Sequence, residues 1–97
     1  MPEWIWDPVK DRLNRRQHGI PLAYGVRALS DPTLLSRPDS HPDGDRWRSI
    51  GIADGIATLF VVHTEPVKYS DGREVGRIIS VRKATSHERR EYEEDGF

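Results

Sequence analysis

The stretch Thr58-Leu59-Phe60-Val61-Val62-His63-Thr64 is almost continuous in β-branched and aromatic residues. A run of this kind, nearly continuous in β-formers, reads as a central strand. Two further runs accompany it. Asp45 to Ile52 lies before it, joined through Asp54-Gly55, and Gly76 to Ala84 lies after it, across a hairpin signalled by Asp71-Gly72. Asp-Gly supplies the left-handed backbone that tight hairpins need. Glu3 to Trp6 is a short opening strand that adds a fourth to the sheet.

Helices flank these strands. Asp7-Pro8 opens the first, because Asp accepts from free N–H groups and Pro loses nothing at the first helical position. Gly19 closes it. Spacing puts Trp6, Val9, Leu13 and Ile20 on one side, and Lys10, Asn14, Gln17 and His18 on an adjacent side. A second short helix runs from Leu22 to Leu29, weakened by Gly25. Thr85-Ser86-His87-Glu88 is a capping box that starts a last helix. This helix offers Tyr92 as its one large apolar body before Phe97, so the sheet or a partner must hold it. Arg37 to Gly44, with two prolines and no aliphatic residue, reads as a loop. The expected architecture is α+β: two N-terminal helices, a small, mainly antiparallel sheet of three to four strands, and a C-terminal helix.

A length of 97 residues, 35% hydrophobic and 32% charged, fits one domain with a modest core. The absence of Cys excludes a disulfide framework, a thiolate zinc site and a cysteine nucleophile. No apolar run approaches a membrane span, and Met1 to Lys10 lacks the pattern of a signal peptide, so a cytoplasmic protein is expected. The net charge of −1 is a cancellation: residues 77–90 carry +4 and the seven that follow carry −4. Bulk attraction to nucleic acid is therefore excluded, but a local anion site is not.

Arginines recur in the strands. Arg77, Arg82 and Lys83 lie in the last one, Arg46 and Arg48 in the first. Simple alternation puts Arg77 and Lys83 on one face and Arg82 on the other. Arginine within a β-run is costly unless it is paired or faces an anion. For each alone a salt bridge is the better reading; their recurrence favours a phosphate site. His63 taken alone reads as a core or edge histidine satisfied by a backbone partner, with acid–base work as the sharper alternative. Lys10, Asn14 and His18 form either a packing face or a functional one. His18, His41, His63 and His87 are too scattered for a metal site, and no Gly-rich phosphate loop or hydrolase elbow is present, so neither a metal nor a cofactor is expected. What remains is metal-free chemistry on a phosphodiester, or binding alone.

The motifs, taken in order, resemble the BrnT family of type II toxins. Trp6-Asp7-Pro8, Lys10, Asn14 and His18-Gly19-Ile20 match its opening. Arg46-Trp47, Ile50-Gly51, Val61-Val62-His63-Thr64, Arg77 to Thr85, Glu88-Arg89 and Tyr92 match the rest. Two departures stand out: His63, where the family usually has Tyr, and a longer Val67 to Gly76 hairpin.

The resemblance implies a RelE-like fold with residues 1–97 as one toxin domain. It also implies an RNA-cleaving toxin that inhibits translation. Its expected partners are RNA and a BrnA-type antitoxin, a ribbon-helix-helix protein through which alone DNA is contacted. Metal-free RNA cleavage by the 2′-hydroxyl needs a base, cations and an acid. Arg77, Arg46 and Arg82 are the candidates for charge stabilisation. His63 or Glu65 would be the base, and His18 or Lys10 the acid, with Lys83 and Asn14 as further phosphate contacts. The alternative is a catalytically weak module kept for antitoxin binding and operon autoregulation.

Overall fold

The structure is a computed structural model that describes residues 2–40, 42 and 45–94. The elements run β1 (Glu3–Ile5), α1 (Pro8–His18), α2 (Ala23–Leu29), β2 (Leu35–Asp39), β3 (Arg46–Ala53), β4 (Ala57–His63), β5 (Val67–Lys68), β6 (Glu74–Lys83) and α3 (Ser86–Glu94). The sheet has six strands in the order β1-β6-β4-β3-β2, with β5 also pairing β6. Every pairing is antiparallel except that of β1 with β6. The expected class holds, but the sheet is larger than three or four strands.

The added strands have clear physical reasons. Leu35–Asp39 lies within or beside the stretch read as a loop, yet it pairs with β3 from Leu35↔Ile50 to Asp39↔Arg46. Pro38 is tolerated because β2 is an edge strand, where a missing N–H costs no ladder bond. His41, Asp43 and Gly44 of that stretch lie outside the described residues, as do Asp95 and Phe97 of the acidic tail. β5 is the continuation of the expected Asp71-Gly72 hairpin, with Val67 opposite Val75. Asp54 and Gly55 both take positive φ, 54° and 70°, as a tight β3–β4 turn requires.

α1 and α2 pack on one face of the sheet around a core that includes Leu22, Leu59, Val61, Ile78 and Val81. Gly25, which weakened the expected helix, is required there: a Cβ on it would lie 2.9 Å from Val81 Cγ2. The expected apolar side of α1 is a correction. Val9 and Leu13 are 52% and 47% exposed, and the residue α1 buries is Asn14. The helix sits against the free edge of β6, and that edge is polar. Asn14 Oδ1 accepts from Val81 N–H (3.1 Å), and its Nδ2 donates to the carbonyls of Val81 and Ile20 (both 2.8 Å). One side chain thus stands in for a missing strand.

α3 crosses the opposite face near β3 and buries no residue fully. Its capping box forms as expected: Glu88 N–H donates to Thr85 Oγ1 (3.1 Å) and Thr85 N–H to Glu88 Oε1 (2.9 Å). The helix is fastened by Tyr92, whose hydroxyl donates to Asp31. Asp31 also accepts from Ile52 N–H (2.8 Å) and Thr33 N–H (2.9 Å). Burial pushes the Asp31 carboxyl up, but the bonds from Tyr92, Ile52 and Thr33 outweigh it and hold it at about 2.

Two outcomes follow. Asn14→Ala leaves three backbone groups without their partner, and should destabilise the fold by about 2–4 kcal/mol in urea unfolding. A loss under about 0.5 kcal/mol, within the range of ordinary surface substitutions, would show that water replaces the amide. Because the folded-state pKa of Asp31 is depressed, its contribution is full above pH 3.8 and lost as pH falls towards about 2. Tyr92→Phe should therefore move the acid-unfolding midpoint, followed by circular dichroism, to higher pH.

Candidate active site

The decisive local feature is a bulge in β6. Val62 pairs with Ser80 but His63 pairs with Ile78, so Ile79 is an extra residue. Ile78 and Val81 are three apart and both fully buried on the helical side. The phase change reverses the simple alternation: Arg77 lies with Ser80 and Arg82 on the face away from α1 and α2, while Lys83 lies on the core side.

Three rows of residues therefore cross this far face. Leu35, Ile50, Phe60 and Arg82 form one. Arg37, Arg48, Val62 and Ser80 form the next. Asp39 with Arg46, and Thr64 with Arg77, form the third, the last pair joined by Thr64 N–H to the Arg77 carbonyl and Arg77 N–H to Thr64 Oγ1 (both 2.9 Å). α3 reaches the first row. Arg46, Arg48 and Val62 in the other rows are half-buried, and Arg77 is exposed. Among the described residues, the Arg46 and Arg77 guanidinium groups meet no carboxylate. Successive rows are about 7 Å apart, two residues along a strand.

Arg82 belongs to the same face but is engaged. Its two terminal nitrogens donate to Glu88 Oε1 and Oε2 (2.8 and 2.9 Å), and its guanidinium lies 4.1 Å from the Phe60 ring centre. The ion pair raises the Arg82 pKa, and it helps lower that of Glu88 against the effect of burial. Here the salt-bridge reading of a strand arginine is the observed one.

His63 is 6% exposed and points into the core. Its Nδ1 donates to the Thr64 carbonyl (2.9 Å), so Nε2 accepts from the Ser49 hydroxyl (2.7 Å), which contacts Ser36 Oγ (2.7 Å). The Trp4 ring meets it edge-on at 5.2 Å. Burial lowers the His63 pKa, opposed by the Thr64 carbonyl. The imidazole is neutral and both nitrogens are occupied within the protein.

The remaining sequence candidates do not converge. Asn14 is the packing amide described above. Lys10 is exposed on α1 and lines a cavity with Ile79 and Ser80, at the β6 end of the second row, whereas His18 is exposed at the end of α1 and Lys83 lies on the core side of β6. Glu65 is exposed and follows Thr64 directly. Sequence reasoning passed over Arg37, which was read as loop, and noted Arg48 without selecting it. Among the described residues no three His, Asp or Glu side chains converge as a metal site would require, and no helix is long and apolar enough to cross a membrane.

These features define a small α+β protein with one cation-bearing sheet face suited to a polyanion. The chain belongs to the BrnT family: residues 6–88 match the family described as ribonuclease toxin, BrnT, of type II toxin–antitoxin system. No curated protein matches it. Among solved structures it is similar to the Brucella abortus ribonuclease toxin BrnT, with 27% identity, a TM-score of 0.65, and coverage of 89% of this chain and all of that one.

One outcome separates structure from chemistry at His63. A histidine whose folded-state pKa is lowered stabilises above its unfolded value, near 6.5, and that contribution is lost as pH falls. The wild-type Tm should therefore drop between pH 7 and 5. His63→Gln should lower the Tm at pH 7 and flatten this slope. An unchanged slope would place the titrating group elsewhere.

Proposed function

We propose that this chain is a metal-independent endoribonuclease toxin that inhibits translation in the cytoplasm and is neutralised by a BrnA-type antitoxin. The observation that carries this reading is the gathering of Arg46, Arg48 and Arg77 on one sheet face, in a chain of a ribonuclease family. In this reading residues 1–97 work as one RelE-like domain. The ribbon-helix-helix antitoxin supplies the contact with operator DNA.

The chemistry follows from the site. An RNA 2′-hydroxyl attacks the adjacent phosphorus, and negative charge builds on the non-bridging oxygens. Guanidinium groups fixed on a sheet stabilise that charge through paired N–H donors. Arg77 and Arg46 flank the scissile phosphate, and Arg82 fixes α3 beside them through Glu88. His63 organises the β3–β4 core beneath the site and transfers no proton.

Arg77→Ala should lower RNA cleavage at least about 100-fold without loss of folding, the scale of removing one transition-state donor. Arg46→Ala should lower it as well. Cleavage should persist in EDTA and leave 2′,3′-cyclic phosphate ends, detected by mass spectrometry. Loss on chelation would overturn the metal-free mechanism. Absence of growth arrest on expression, with tight antitoxin binding, would instead identify a catalytically weak binding module.

A further inference from the structure

α3 and the arginine rows enclose a cleft of about 180 Å³ lined by Arg37, Arg48, Phe60, His87, Glu88 and Glu91. Two features distinguish it from an ordinary surface groove. The Arg48 Nε is buried and has no hydrogen-bond partner among the described residues. A buried donor left unpaired is costly, so a missing acceptor is the economical explanation. Finally, His87 brings an imidazole to the same cleft, with its Nε2 2.7 Å from Glu91 Oε1 and its side chain 75% exposed.

We propose that this cleft holds the scissile phosphodiester of the RNA and that His87 is the base for its cleavage. The proposal rests on the ribonuclease reading above. With Nε2–H donated to Glu91, the free Nδ1 lone pair accepts the proton of the 2′-hydroxyl. The 2′-oxygen bonds to phosphorus, the bond from phosphorus to O5′ breaks, and O5′ takes a proton from solvent water. Arg48 donates to one non-bridging oxygen, and Arg77 and Arg46, reaching from the next row, flank the same phosphate and share its developing charge. Glu91 is a positioning residue: it fixes the imidazole tautomer and stabilises the imidazolium that forms.

The charged groups around His87 are Arg37 from β2, Arg48 from β3, and Glu88 and Glu91 from its own helix, with Arg90 and Glu94 on the outer flank. Glu88 is already committed to Arg82. Glu91 therefore remains as the carboxylate that acts on the imidazole.

The test is single-turnover cleavage of an RNA oligonucleotide across pH, with binding of its uncleavable 2′-deoxy counterpart measured alongside. His87→Gln should cut the rate by about 100-fold or more and remove the acidic limb of the profile, while leaving 2′-deoxy binding intact. Glu91→Gln should lower the rate while leaving 2′-deoxy binding intact, and Glu91→Asp should restore part of it, because the carboxylate orients the imidazole. Arg48→Ala should weaken 2′-deoxy binding as well as cleavage. His87→Gln with the wild-type rate and pH profile, in a protein that Arg77→Ala inactivates, would overturn the cleft and leave the ribonuclease reading standing. Loss of the acidic limb in Glu65→Gln but not in His87→Gln would do the same. A wild-type protein that cleaves no RNA would sink both.

Discussion

The extra residue in β6 is the constraint on which the rest of the molecule depends. Without Ile79 as a bulge, Ile78 and Val81 could not both face α2, and the core would lose one of its two fully buried β6 side chains. The same shift carries Arg77 to the face that bears Arg46, Arg48 and Arg82. Core packing and charge clustering are thus two results of one backbone irregularity. A bulge of this kind re-aims side chains at a defined place in a sheet, at the expense of one unpaired residue.

A face that gathers arginines repels itself, and the fold answers this locally. Arg82 is neutralised by Glu88 and stacked on Phe60, and the same Glu88 completes the capping box of α3. α3 has little apolar surface, so its position rests on polar fastenings at both ends. Glu88 holds its first turn to β6 through Arg82, and Tyr92 holds its last turns to Asp31. Asp31 in turn binds the β3 backbone at Ile52. The helix is therefore located relative to β3 and β6, the strands that carry Arg48 and Arg77. The placement of His87 beside Arg48 is a product of those fastenings.

Much of this was legible in the sequence, for reasons that lie in local chemistry. Asp7-Pro8, Gly19, Asp54-Gly55 and the Thr85 to Glu88 box are each decided within four residues, and each appears where the residues dictate. What was not legible depends on non-local pairing. Leu35–Asp39 becomes a strand because β3 offers it an edge, against its own composition. The buried side of α1 is set by the polar edge of β6, so Asn14 goes inward and Val9 and Leu13 stay half-exposed. The face of Arg77 cannot be read by counting, because alternation assumes an unbulged strand. His63 was readable in part: as a core or edge histidine satisfied by a backbone partner it agrees with the bond to the Thr64 carbonyl, whereas its selection as a candidate base did not anticipate that Ser49 occupies the other nitrogen.

The near-neutral total charge now has a structural meaning. The acids of α3 are not a diffuse counterweight to the basic stretch before it. Glu88 and Glu91 each meet a particular partner, Arg82 and His87, and the latter pair lies at the mouth of the arginine cleft. This leaves Arg46 and Arg77 without a carboxylate among the described residues, and Arg48 with an unpaired Nε. Opposite charges elsewhere in the chain cancel the total but not these groups, because screening confines each exposed charge to about 8–10 Å. A protein of this composition attracts RNA through a few cations fixed at one place. Recognition then rests on where the sheet puts them.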